Sequence, residues 1–238
     1  MFSSLANPTL PPSIEDVVGK KIANGLPGIS RNFRLKRDAA RAKANLGVAR
    51  NRAEAASEDS ERARSDSEVS AAEESLAKTE NALKSDSVRP LPVYEHPPLL
   101  SYALQNSKSR LLIISPWIRK AVVDREFMAQ LLKLVEAGVA VHIGYGLGED
   151  DRGARPEDKK VESELSELAR SHKNFAFHRL GDTHAKVLIL DQEFFVISSF
   201  NWLSFRGDQN RTFREEWGTY VGVPGKVDDF YKKMLERF

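Results

Sequence analysis

Beyond Pro98 the chain alternates between strand-sized apolar runs and segments with helical spacing, a rhythm that few folds accommodate. Residues 110–115 (RLLIIS) form a buried run that stops at Pro116, and residues 139–145, 174–179, 185–190, 194–199 and 217–221 supply five more. Between them, residues 99–106 suit a helix. Residues 122–137 carry Phe127, Leu131, Leu134 and Val135 at helical spacing before Gly138, a residue suited to closing a helix. Pro156 opens another helix, with Val161, Leu165 and Leu168 on its apolar face, and Pro224 opens a last one running to Phe238. This order predicts an α/β fold, a mixed β-sheet flanked by helices on both faces. An apolar fraction of 41% with three Trp residues is enough to fill such a core.

The first part of the chain lacks that rhythm, so the predicted organisation is an extension over residues 1–89 and a folded domain over residues 90–238. Pro8, Pro11 and Pro12 keep the start irregular. Ser13, Glu15 and Asp16 then open a short helix with Val17, Val18 and Ile22, ended by Gly25, Pro27 and Gly28. Residues 30–85 contain no Pro and only Gly47, so their propensity favours helix. Val48, Val69, Leu76 and Leu83 share one seven-residue register, but Ala55 and Arg62 interrupt it. Two readings therefore stay open, a long solvated helix that pairs with itself and a partly disordered arm. Four prolines within residues 88–98 read as a stiff linker.

Charge is segregated within that extension. Residues 19–52 hold ten Lys or Arg against Asp38, whereas residues 53–80 hold nine acids against Arg62, Arg64 and Lys78. A basic stretch of this kind is either a solvated helix face or a nucleic-acid contact. The extension could also dock partner proteins. The absence of cysteine excludes disulfides, thiolate metal sites and cysteine nucleophiles. The longest apolar runs, such as residues 111–114 and 187–190, fall far short of the roughly 20 residues needed to cross a bilayer, so no stable membrane association is expected. No secretory pattern marks the first thirty residues, and a cytoplasmic location is expected.

Residues 184–191 (HAKVLILD) and 198–201 (SSFN) carry the chemistry. On a strand, His184 and Lys186 share one face while Ala185, Val187 and Ile189 point the other way. A two-residue turn at Gln192 and Glu193 would pair Lys186 with Ser199 and His184 with Asn201. Such a hairpin collects a nucleophile, a cation and two neutral hydrogen-bonding groups. That set suits a phosphodiester, with His184 attacking phosphorus while Lys186, Ser199 and Asn201 hold the non-bridging oxygens. His96 and His172 are expected in solvent, and His142 and His178 beside the core. Trp117, Trp202 and Trp217 are most simply packing residues, although Trp202 adjoins Asn201 and could wall the pocket. The segment 204–214, with Arg206, Arg211 and Arg214, is either a plain rim or a phosphate-tracking loop.

HAKVLILD resembles the His-x-Lys-x4-Asp signature of the phospholipase D superfamily, and SSFN resembles the Gly-Ser-x-Asn that accompanies it. The resemblance covers residues 99–238. It implies that His184 forms a covalent phosphohistidine, that Lys186 and Asn201 bind phosphate with Ser199 as a lesser partner, and that Asp191 supports the site. It also implies that Glu216, or less well Glu215, orients a histidine ring. Ser198 departs from the pattern by standing where the family usually has glycine, which bears on how closely the phosphate approaches.

Two histidines are needed, one to attack and one to protonate the leaving oxygen, whereas this chain holds one signature. Single-signature members pair as homodimers with a shared active site, so a two-fold dimer is expected. The chemistry requires neither a metal nor another cofactor. The function so implied is a metal-independent nuclease cleaving DNA or RNA, of the kind found in restriction and phage defence. The alternatives are a phospholipase or phosphatidyl transferase, and a catalytically silent scaffold subunit.

Overall fold

The computed structural model describes residues 27–56, 59–147, 153–207 and 214–238. The short helix expected around Val17 and Ile22, and Arg211, lie outside them. The chain divides into two compact units at Ser87 and Val88. In the first, α1 (Pro27–Ala55) and α2 (Asp59–Asp86) pack against each other. Ion pairs from Arg50 to Glu73 and from Arg52 to Glu68 fix an antiparallel hairpin. Ala42, Leu46 and Ala49 are buried at its seam, where the two alanines let the helices approach closely. Neither open reading of this region anticipated two helices. Val48, placed by sequence in the apolar register, is 52% exposed, because the break after Ala55 gives each helix its own register. Pro27, expected to end a helix, starts α1, where its missing N–H costs nothing.

The second unit is a seven-stranded mixed sheet in the order β1-β7-β6-β5-β2-β3-β4. Its strands are β1 (Val88–Pro92), β2 (Arg110–Ser115), β3 (Ala140–Tyr145), β4 (Phe175–Arg179), β5 (Val187–Leu190), β6 (Phe194–Ser198) and β7 (Trp217–Val221). β2, β3 and β4 are parallel, and the remaining pairings are antiparallel. Helices α3 (His96–Asn106), α4 (Arg125–Glu136), α5 (Pro156–Ser171) and α6 (Pro224–Leu235) cover the sheet, so the mixed α/β architecture read from the alternation is the one found. Alternation divides the core. Leu112, Ile114, Val187 and Ile189 pack with Val227 and Tyr231 of α6, and Leu111, Ile113, Leu188 and Leu190 are buried facing the other way. Each fully buried aliphatic side chain contributes about 1.5–3 kcal/mol.

The expected linker is instead a strand. Residues 88–92 pair with β7 at the sheet edge, and a 3-10 turn, Val93–Glu95, leads into α3. Pro90 and Pro92 are two apart, so both nitrogens point to the same side, the side that has no neighbour at an edge. Leu91 between them is fully buried. Proline content therefore marked an edge strand rather than a spacer.

Candidate active site

The strand pairings gather His184, Lys186, Ser198 and Ser199 at one end of the sheet. β2 finishes there at Ser115, β5 starts there after Lys186, β6 ends at Ser198, and β7 starts at Trp217. His184 and Lys186 lie in the extended segment that leads into β5. Ala185 packs with Val187 and Ile189 against α6, which turns His184 and Lys186 toward the opposite side. His184 is exposed, with its ring edge-on to Trp117 at 6.3 Å between centroids. Lys186 is 6% exposed, and its Nζ donates to the His184 carbonyl at 2.7 Å. Burial pushes the lysine pKa down from its usual value; the Glu216 carboxylate opposes that and Arg214 adds to it.

The hairpin register differs by one residue from the sequence reading. Leu190 pairs with Phe194 and Val187 with Ile197, so three residues rather than two form the turn. Asp191 takes a left-handed conformation there, φ 46°, and absorbs the extra residue. Lys186 consequently faces Ser198, whose N–H donates to the Lys186 carbonyl at 3.1 Å, and not Ser199. Ser199 pairs with the start of β7 instead: its N–H donates to the Trp217 carbonyl at 2.9 Å, and its Oγ accepts from the Trp217 N–H at 3.1 Å.

Glu216 is 3% exposed and accepts a short hydrogen bond from Ser199 Oγ. Arg214 Nε lies 2.6 Å from its other oxygen as an ion pair outside hydrogen-bond geometry. In place of the histidine ring expected for it, Glu216 thus holds a serine and an arginine. Glu215 accepts from Trp217 Nε1 at 2.8 Å, and Trp217, expected to pack, is 53% exposed. Asn201 is buried, and its Oδ1 has no hydrogen-bond partner among the described residues. Its backbone carbonyl accepts from Ser204 and Phe205, forming the tight turn that aims the side chain. That turn is tied to β2, since Ser115 Oγ accepts from the Leu203 N–H at 3.2 Å.

Three residues placed near the site by sequence stand apart from His184 and Lys186. Trp202 is fully buried, and with Arg206 it lines a separate groove of about 240 Å³ beside Phe127 and Phe205. Asp191 is at the opposite end of β5. It accepts from the backbone N–H groups of Lys108, Ser109 and Arg110 at 2.8–2.9 Å and from Ser109 Oγ, which ties the hairpin turn to the start of β2.

His96, expected in solvent, is fully buried. Its Nδ1 lies 3.0 Å from the Pro92 carbonyl, its ring stacks on Phe200 at 4.6 Å, and its Nε2 has no hydrogen-bond partner among the described residues. The reason is the strand at residues 88–92 and the 3-10 turn after it, which bring His96 back onto the Pro92 carbonyl. A side chain at Gly218 would come within 2.9 Å of both His96 Nε2 and Ser198 Cβ, so this glycine makes room for the serine that replaces the family glycine across the ladder. A glycine inside a strand run signals such a close approach, and sequence reading passed over it.

Burial holds His96 near pKa 4, below its ordinary 6.5, against smaller opposing hydrogen bonds at Pro92 and Val93. The unfolded chain therefore takes up the proton first. Stability is full above about pH 6.5 and falls as the pH drops toward about 4, by up to roughly 3 kcal/mol. Denaturant titrations at stepped pH are expected to show this slope, and His96→Phe, which keeps a ring but cannot titrate, to remove most of it. An equal slope in both chains would place the effect elsewhere.

Residues 100–211 match the family model described as "Cardiolipin synthase, PLD-like domain". No curated protein sequence matches the chain. Among solved structures, a phospholipase D family member, Nuc from Salmonella typhimurium, is similar at 18% identity over 63% of this chain and 93% of its own, with a TM-score of 0.46. NucT from Helicobacter pylori is similar at 15% over 63% and 96%, TM-score 0.44. Phosphatidylserine synthase from Haemophilus influenzae Rd KW20 is similar at 13% over 70% and 45%, TM-score 0.42.

Proposed function

We propose that this chain, which belongs to the phospholipase D superfamily through its second unit, is a nuclease that cleaves the phosphodiester backbone of DNA or RNA with His184 as nucleophile. The observation that carries the phosphodiester part is the exposed imidazole of His184 two residues from the buried ammonium of Lys186, at the same end of the sheet as Asn201. His184 attacks phosphorus, the P–O bond to the leaving strand breaks, and water later releases the phosphohistidine. Lys186 and the Asn201 amide hold the non-bridging oxygens, with Ser199 beside them. The leaving oxygen takes its proton from the second His184 of a two-fold dimer. Nucleic acid is favoured as substrate by the exposed Arg214, which lies beside Glu216 at this end of the sheet.

Lipid chemistry is the second reading, favoured by the description of the matching family model. The test is incubation of the purified chain with labelled DNA, labelled RNA and phosphatidylcholine vesicles in EDTA. Cleavage of nucleic acid that survives chelation is the expected result. Turnover of phosphatidylcholine alone would replace this reading with the lipid one, and no turnover of any of the three would overturn both.

A further inference from the structure

The helical hairpin is electrically polarised along its length. The ion pairs from Arg50 to Glu73 and Arg52 to Glu68 set α1 and α2 antiparallel. The N-terminal half of α1 therefore lies beside the C-terminal half of α2. That open end carries Arg31, Arg34, Lys36, Arg37, Arg41 and Lys43 on α1, opposed in sequence by Asp38 alone. The matching stretch of α2, residues 77–86, adds Lys78 and Lys84 against Glu80 and Asp86, which cancel. At the turn end the balance reverses, because Asp59, Glu61, Asp66, Glu68, Glu73 and Glu74 outnumber the four arginines there. By sequence, the acids of α2 thus balance the arginines of the turn end and leave the open end with a net positive charge.

We infer that the open end of this hairpin is a binding surface for the phosphate backbone of nucleic acid. The inference rests on the nuclease reading for its choice of ligand. Arg34, Arg41 and Lys43 are exposed, and their positions, seven and two residues apart, spread positive charge along about two and a half turns of helix. Such an array neutralises successive phosphates and releases their counterions, which gives affinity without sequence preference. An anionic membrane is the weaker fit. Surface-seated helices bury a Trp, Phe or Leu face, and the exposed large apolar residue among the described side chains of α1 is Val48, away from the open end.

The test uses the full chain carrying His184→Ala, so that binding is read without turnover. Fluorescence anisotropy with a short labelled duplex DNA, its single strand, and an RNA of the same sequence is measured across a range of salt. Adding Arg34→Gln, Arg41→Gln and Lys43→Gln together is expected to weaken binding about tenfold or more near 0.1 M salt, and to make the log-log salt slope shallower by about 2–3. Helicity by circular dichroism should be unchanged, since all three side chains are exposed. Glu68→Gln and Glu73→Gln, at the turn end, should weaken binding to none of the probes. Unchanged affinity and slope in the triple variant would overturn the assignment. So would loss of binding to phosphatidylserine vesicles with nucleic-acid binding intact. A chain that binds nucleic acid through these residues yet cleaves none would support this surface and sink the nuclease reading.

Discussion

Replacing His184 by alanine is expected to reduce diester hydrolysis by at least about a thousandfold while leaving the melting temperature unchanged. The asymmetry follows from where the side chain sits. His184 is exposed, precedes β5, and meets the edge of Trp117 with its ring, so truncation removes little buried area and, among the described residues, no hydrogen bond of the side chain. Chemistry loses its nucleophile, which neither Lys186 nor Asn201 can replace, since one carries a proton and the other is an amide. A dimer with a shared site adds a sharper consequence. Where each turnover needs a histidine from both copies, a mixed dimer of wild type and His184→Ala is inactive. After unfolding and refolding the two together, activity per wild-type chain should then fall in proportion to the wild-type fraction. Activity per wild-type chain that stays constant under dilution with the variant would exclude the shared site.

Much of this was legible from residue order, for reasons that can be named. RLLIIS at 110–115 and WGTYV at 217–221 are strands to the residue, because their ends are set by local features, Pro116 at one and the acidic pair before Trp217 at the other. The facing of His184 and Lys186 followed from period-two alternation and holds, since Ala185 does pack with the α6 core. Register was not legible. Whether the β5–β6 turn has two or three residues depends on Asp191 entering a left-handed conformation, and that depends on hydrogen bonds to residues 108–110, more than eighty positions away. One residue of slip exchanged Ser199 for Ser198 as the partner of Lys186. The prolines of residues 88–98 misled for a related reason: their meaning depends on whether the neighbouring strand is on one side or both, which only the sheet order decides. His96 was lost with them. The pairing of α1 with α2 was hidden because two of the three residues buried at the α1 side of its seam, Ala42 and Ala49, are alanines, which carry little hydrophobic signal in sequence.

Asp191→Ala is expected to be the mirror image of the histidine variant, costing stability of about 4 kcal/mol and leaving the catalytic rate of the folded protein nearly intact. The Asp191 carboxylate accepts from three consecutive backbone N–H groups and one hydroxyl, and its own carbonyl accepts from Arg110 Nε at 2.9 Å. Hydrogen bonds to a charged acceptor contribute about 1.5–3 kcal/mol each when buried. Lys108 and Ser109 are exposed, so water recovers part of the loss and the sum is well below the full amount. Alanine must also adopt φ 46°, which adds about 1–2 kcal/mol. For a domain of this size the melting temperature should drop by roughly 10 °C or more. Asp191→Asn tolerates the same conformation and keeps one acceptor oxygen, so about half of the loss should return. Initial rates measured well below both melting points decide the role. If Asp191 takes part in proton transfer, Asp191→Asn will be stable and slow; if it clamps the hairpin turn to β2, the rate will survive and the stability will not. Its position at the far end of β5, away from the end where His184, Lys186 and Asn201 meet, favours the clamp. The aspartate of the signature then acts by holding β5 and β2 in the register on which the placement of His184 and Lys186 depends.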